Sequence, residues 1–201
     1  MLRVYISADY AEDSGDRAVV DVLKNWGADD YHEVDFVDTA KVSSGSVSKD
    51  PDCRSCDLKA EFNRQINASS YVIIVVGDKT AQRKAGSLCR RVDDGWGCEC
   101  TPYKQNTNGK SFCKVYNIFE ASPDGDIGNV NSYSYLQHEF EQAKKRNKNI
   151  IVVYNSINKQ SSWLPPYMMA YENVAVPFWI KDIRGNKVGN YAFIKKALGY
   201  D

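Results

Sequence analysis

The sequence predicts a doubly wound α/β fold, and two observations predict it. Short β-rich segments alternate with segments of helical period five times along the chain. Two of these segments, YVIIVV at residues 71–76 and IIVVY at 150–154, are continuous apolar runs of the kind buried on both faces of a parallel sheet. Alternation of this sort is the pattern of a five-stranded parallel sheet flanked by helices, in strand order 2-1-3-4-5.

Residues 2–8 are β-branched and aromatic and form the first strand, followed by a polar, turn-forming stretch over 9–15. Asp13 or Ser14 can cap the next helix, whose inner stripe Val19, Val22, Leu23 and Trp26 follows i, i+3, i+4, i+7 until Gly27 ends it. Residues 32–37 are the second strand. Residues 38–52 are rich in Ser, Gly, Lys and Asp and aperiodic, a loop long enough to be functional or mobile. A helix over 57–67 spaces Leu58, Phe62 and Ile66 four apart, and 71–76 is the third strand.

From 77 to 134 no period is visible, and residues 80–132 read as an irregular insertion. The pattern resumes with a helix over 135–147, with Leu136, Phe140 and Ala143 facing inward and Glu141, Lys144, Lys145 and Arg146 outward. The fourth strand is 150–154, and the loop 155–170 is broken by Pro165 and Pro166. The fifth strand is 174–180, at an edge because Pro177 cannot donate to a ladder. Gly185 and Gly189 flank a turn before a closing amphipathic helix at 191–198. The whole reads as one flavodoxin-like domain over 1–201. Ligands of such sheets bind beyond the carboxyl ends of the strands, so the loop at 8–13, the loop from 38 and the start of the 135–147 helix share one rim.

At 201 residues, with 43% hydrophobic and 26% charged side chains, the chain can bury a substantial core. Its formal net charge is zero, which argues against a nucleic-acid reader and a polybasic membrane binder. No secretory leader pattern and no membrane-spanning run is visible, so a cytoplasmic location is expected.

Glu139 is the misplaced charge. It sits three residues after Leu136 and beside Phe140, on or next to the inward stripe and near the positive end of the helix dipole. Two readings stand: a structural carboxylate satisfied by the backbone or a neighbouring base, and a carboxylate aimed into a pocket. Its neighbour His138 points about 100° away around the helix and is expected to be exposed.

Three segments carry a resemblance. RVYISADYAED, VDFVDTAKVSSG and SYLQHEFEQAKKRNKNIIVV resemble, in that order, the first strand and loop, the second strand and loop, and the acidic helix of the TIR family. They are most similar to bacterial TIR-like proteins of the Thoeris anti-phage defence type. In the third segment the family has an aromatic residue, usually Trp, four residues before a Glu, and here Tyr135 and Glu139 hold those places. An insertion of about 50 residues after the third strand departs from the pattern.

The resemblance implies an NAD+ glycohydrolase or cyclase that cuts the nicotinamide–ribose bond. Nicotinamide leaves as a neutral group and the ribose passes through an oxocarbenium-like state, so one ionised carboxylate, Glu139, would supply the stabilisation. Water would then yield ADP-ribose, and the adenine ring a cyclic isomer acting as a signal for a partner effector. By the same resemblance Ser7, Asp9 and Tyr10 would approach the ribose or phosphates, Phe36 could stack on a base, Asp38 could cap its loop and Tyr135 could flank the nicotinamide. Each has a plainer role: a capping turn for Ser7, Asp9 and Tyr10, core for Phe36, a helix cover for Tyr135. Trp163 walls the pocket or buries a loop. Self-association through TIR-like surfaces is a further expectation.

Of six cysteines, Cys53 and Cys56 form a C-x-x-C, and Cys89, Cys98, Cys100 and Cys113 fall in the insertion, where four thiolates could staple an irregular loop around zinc. Their spacing is irregular, and free thiols are the simpler reading. Other functions compatible with the layout are a non-enzymatic TIR-like adaptor, a nucleoside deoxyribosyltransferase-like enzyme with a Glu nucleophile, and a phosphoacceptor receiver using Asp78 and Lys181.

Overall fold

The computed structural model describes residues 1–28, 34–38, 51–83 and 134–200, excluding the side chains of 51–57 and 60. Five strands, β1 (Leu2–Ser7), β2 (Val34–Val37), β3 (Tyr71–Val76), β4 (Asn149–Tyr154) and β5 (Val176–Pro177), form one sheet in the order β2-β1-β3-β4-β5. Every neighbouring pair is parallel. The predicted fold class is therefore the observed one.

Among the described residues four α-helices cover the sheet: α1 (Arg17–Gly27), α2 (Pro51–Ala68), α3 (Tyr135–Lys145) and α4 (Tyr191–Ala197). The chain steps from β1 to β2 in one direction along the sheet and from β2 to β3 and β3 to β4 in the other. Right-handed crossovers then put α1 on one face and α2 and α3 on the opposite face. Strand alternation sorts the core accordingly. Val4, Ile6, Ile73 and Val153 meet Val19 and Leu23 of α1 and Ile194 of α4. Tyr5, Val72, Ile74 and Val152 meet Phe62 and Ile66 of α2 and Phe140 and Ala143 of α3.

Three elements differ from expectation. The second helix begins at Pro51 rather than 57, taking in part of what read as loop; proline is tolerated in a first helical turn, where its missing N–H has no partner to lose. The fifth strand is two residues long, because after Pro177 the chain turns so that Phe178 and Trp179 enter the core. It continues as a separate hairpin, β6 (Trp179–Lys181) antiparallel to β7 (Lys187–Gly189). Finally α3 stops at Lys145, where Asn147 takes a left-handed φ of 50° and the Lys148 N–H reaches back to the Ala143 carbonyl, a left-handed C-terminal stop.

Candidate active site

A cavity of about 310 Å³ opens beyond the carboxyl end of β1. Its walls come from three places: Ala8 to Ala11 after β1, Leu58 and Phe62 of α2, and Ser134, Tyr135, Leu136 and Glu139 at the start of α3, with Arg83 at the rim. This is the strand-order reversal between β1 and β3, where open α/β sheets hold ligands.

Ser134 fixes the start of α3: its Oγ accepts from the Gln137 N–H at 3.1 Å. That register turns Glu139 inward, leaving it 3% exposed with Oε2 unpartnered among the described residues. Tyr5 and Ser7, two apart on β1 and so on the same face, bring their hydroxyls beside the carboxyl. Burial nevertheless dominates and pushes Glu139 up to about 8, the two hydroxyls only tempering the rise. The positive end of a helix dipole favours a charged acid. Glu139 lies in the second turn of α3, past the first turn where the dipole acts, and desolvation prevails. Burial thus favours the neutral form of this carboxyl.

Tyr10 is buried beside it. Burial first, and then the Asp38 and Glu139 carboxyls, raise its phenol far above the usual range. Asp38, 3% exposed at the side chain, is ion-paired to Lys24 Nζ of α1 and reaches the cavity only through Tyr10. Tyr135 stands edge-on to Phe62, ring centroids 5.6 Å apart, and the two line one wall. Asp9 is at the rim, its carboxylate holding Arg83 Nε and the Ala11 N–H. Arg83 also pairs with Asp13, which Lys79 and Arg83 together lower to about 2.

Phe36 is not brought to this cavity. It is level with Val4 on β1 and packs with the α1/α4 core, across the sheet from Glu139. Trp163 packs into the α2/α3 core and is absent from the cavity wall. His138, expected to be exposed, is 4% exposed, and its Nε2 lies 2.8 Å from Asn63 Oδ1. The close approach of α2 to α3 covers it. Cys89, Cys98, Cys100 and Cys113 lie outside the described residues, as do the side chains of Cys53 and Cys56. Among the described residues no group of three His, Cys, Asp or Glu is placed to hold a metal.

Sequence reasoning missed Tyr5 and Arg83. Tyr5 carried a signal, two residues before Ser7 on one strand face; Arg83 carried none, since it falls where the period is lost. It also missed Asp16, which takes the N-cap position of α1 expected for Asp13 or Ser14. Fully buried, Asp16 accepts from the Asn155 side-chain amide at 2.8 Å and is raised to about 7, chiefly by burial. Gly77 makes room for it: a Cβ there would sit 2.6 Å from Asp16 Oδ1.

Residues 5–86 match a family model described as Thoeris protein ThsB, TIR-like domain. No curated protein and no solved structure matches significantly. The matched span carries the β1 loop, Leu58, Phe62 and Arg83, and ends before Glu139. No helix among the described residues is long and apolar enough to cross a membrane.

Proposed function

From a chain that carries a Thoeris-type TIR-like domain, we propose an enzyme that cleaves the nicotinamide–ribose bond of NAD+ and makes an ADP-ribose-type signal in anti-phage defence. The observation that carries this reading is Glu139, a buried acid lining the cavity, with one oxygen unpartnered among the described residues.

The volume, about 310 Å³, suits a nicotinamide with its ribose and leaves the rest of the dinucleotide to follow the Asp9–Arg83 rim. Tyr135 and Phe62 offer aromatic surface to the nicotinamide ring. As the glycosidic bond lengthens, positive charge gathers on the anomeric carbon and ring oxygen, and an ionised Glu139 in a site poor in water stabilises it. Nicotinamide departs neutral and takes no proton. Water, giving up a proton to solvent, or the adenine ring then captures the sugar, and a separate effector protein receives the product. Self-association through the TIR-like surfaces belongs to the same proposal.

Incubation with NAD+ followed by chromatography tests it. Nicotinamide release is expected, with the co-product naming the route, and Glu139→Gln should lower the rate by about 10²–10³-fold. An intact pool of NAD+ would leave an adaptor; a trapped glycosyl adduct on Glu139 would indicate a transferase.

A further inference from the structure

Resting on the enzyme reading above, we propose that Asp16 is a positioning residue. It fixes the loop after β1 as one wall of the cavity, and so sets how tightly the dinucleotide is held rather than how fast its glycosidic bond breaks.

Asp16 stands at the N-cap position of α1, where an aspartate ordinarily accepts from the free N–H groups of the first helical turn. Its side chain makes no such bond. The carboxyl is 0% exposed and turns instead to the carboxyl ends of three strands. One oxygen accepts from the Asp9 N–H after β1 at 3.4 Å, and the other from the Asn155 amide after β4 at 2.8 Å. After β3, Gly77 passes so close that only a residue without a Cβ fits against Oδ1. A buried acid that leaves its own helix uncapped does little for α1; what it organises is the loop that it reaches.

Ser14 completes the arrangement. Its hydroxyl accepts from the Asp16 N–H at 3.3 Å, donates to the Asp9 carbonyl at 2.5 Å and has the Ala11 carbonyl in reach at 2.9 Å. The main chain of residues 9–11 is thereby held at one amide and two carbonyls. From this fixed segment come the Ala8-to-Ala11 wall of the cavity and the Asp9 carboxylate that holds Arg83 at the rim. Asp16 itself is not on the cavity wall, and Glu139 is carried by another element, α3. Loosening the loop therefore weakens substrate and transition state alike, which raises KM and spares kcat.

Steady-state cleavage of NAD+ by single variants of the whole chain tests this. Asp16→Asn keeps the shape but cannot accept at both ends; Asn155→Ala keeps the carboxyl and removes its donor after β4, so the test stands even where the first variant folds poorly. Each should raise the KM for NAD+ about tenfold and leave kcat within about threefold. Leu23→Ala, which destabilises α1 from its buried face, is the control and should leave KM within about twofold. Amide hydrogen exchange at residues 9–11 should quicken at least about tenfold in the first two variants and not in the control. An unchanged KM, a loss confined to kcat, unchanged exchange, or an equal rise of KM in Leu23→Ala would overturn the inference while wild-type turnover upholds the enzyme reading. If the wild-type chain leaves NAD+ intact, the enzyme reading fails and this inference with it.

Discussion

Val4, Ile6, Ile73 and Val153 on one face of the sheet meet apolar partners from α1 and α4, while on the other face Tyr5 and Ser7 occupy the corresponding alternate positions of β1. Against that second face α2 and α3 bring Lys59, Asn63, His138, Glu139 and Gln142, all buried. A dry face needs only close packing. A buried polar face needs each donor and acceptor matched, and α2 and α3 largely manage it: Asn63 meets His138, and Asn67 accepts from Gln142 at 2.9 Å. The buried acids sharpen the contrast. Asp16 is bonded by Asn155 and by the Asp9 N–H, whereas Glu139 keeps an oxygen without a partner among the described residues. Both faces thus carry an apolar core, but the face under α2 and α3 also carries the buried polar groups around the cavity.

That division can be broken by mutation. Leu23→Ala on the dry face should cost about 2–5 kcal/mol by urea unfolding. It should leave NAD+ cleavage per folded molecule within about twofold; a large loss of turnover would erase the distinction. Gly77→Ala should cost about 1–3 kcal/mol, because the new methyl meets the Asp16 carboxylate that ties the strand ends together.

Glu139→Gln probes the polar face through pH. The acid's folded value of about 8 lies above its ordinary 4.5, so the folded state keeps a proton that the unfolded chain releases between those limits. Its contribution is full below about 4.5 and is lost as pH rises through about 8; Asp16, raised from 3.8 to about 7, acts in the same sense. Denaturation at pH 5 and pH 8.5 should show the wild type losing more stability than the variant. The variant should gain about 4 kcal/mol on it across that range. A parallel pair of pH curves would mean that Glu139 is charged in the empty site. The smallest effect is expected from Ser7→Ala. Losing a hydroxyl that favours the ionised carboxyl should move the pH midpoint of kcat/KM upward, by less than about one unit.

Much of this division was legible in the sequence. Continuous runs such as YVIIVV and IIVVY declare strands buried on both faces, and the spacing of Leu136, Phe140 and Ala143 declares the inward stripe beside which Glu139 falls. What stayed hidden depends on contacts between distant segments. His138 looked exposed because helical spacing says nothing of a second helix, and α2 covers it. Phe36 looked like a site residue until the strand register with Val4 put it across the sheet. The desolvation of Glu139 stayed hidden because burial depends on the whole fold and the dipole only on the helix.

Asn155 has both ends of its amide engaged: the nitrogen on Asp16, the oxygen accepting from Trp179 Nε1 at 2.7 Å. One short side chain thereby acts as a strut between the β6–β7 hairpin and the N-cap of the first helix, which in turn holds the Asp9 amide at the cavity rim. A protease nick or a bound antibody at the hairpin would accordingly be felt at the entrance, although neither touches it.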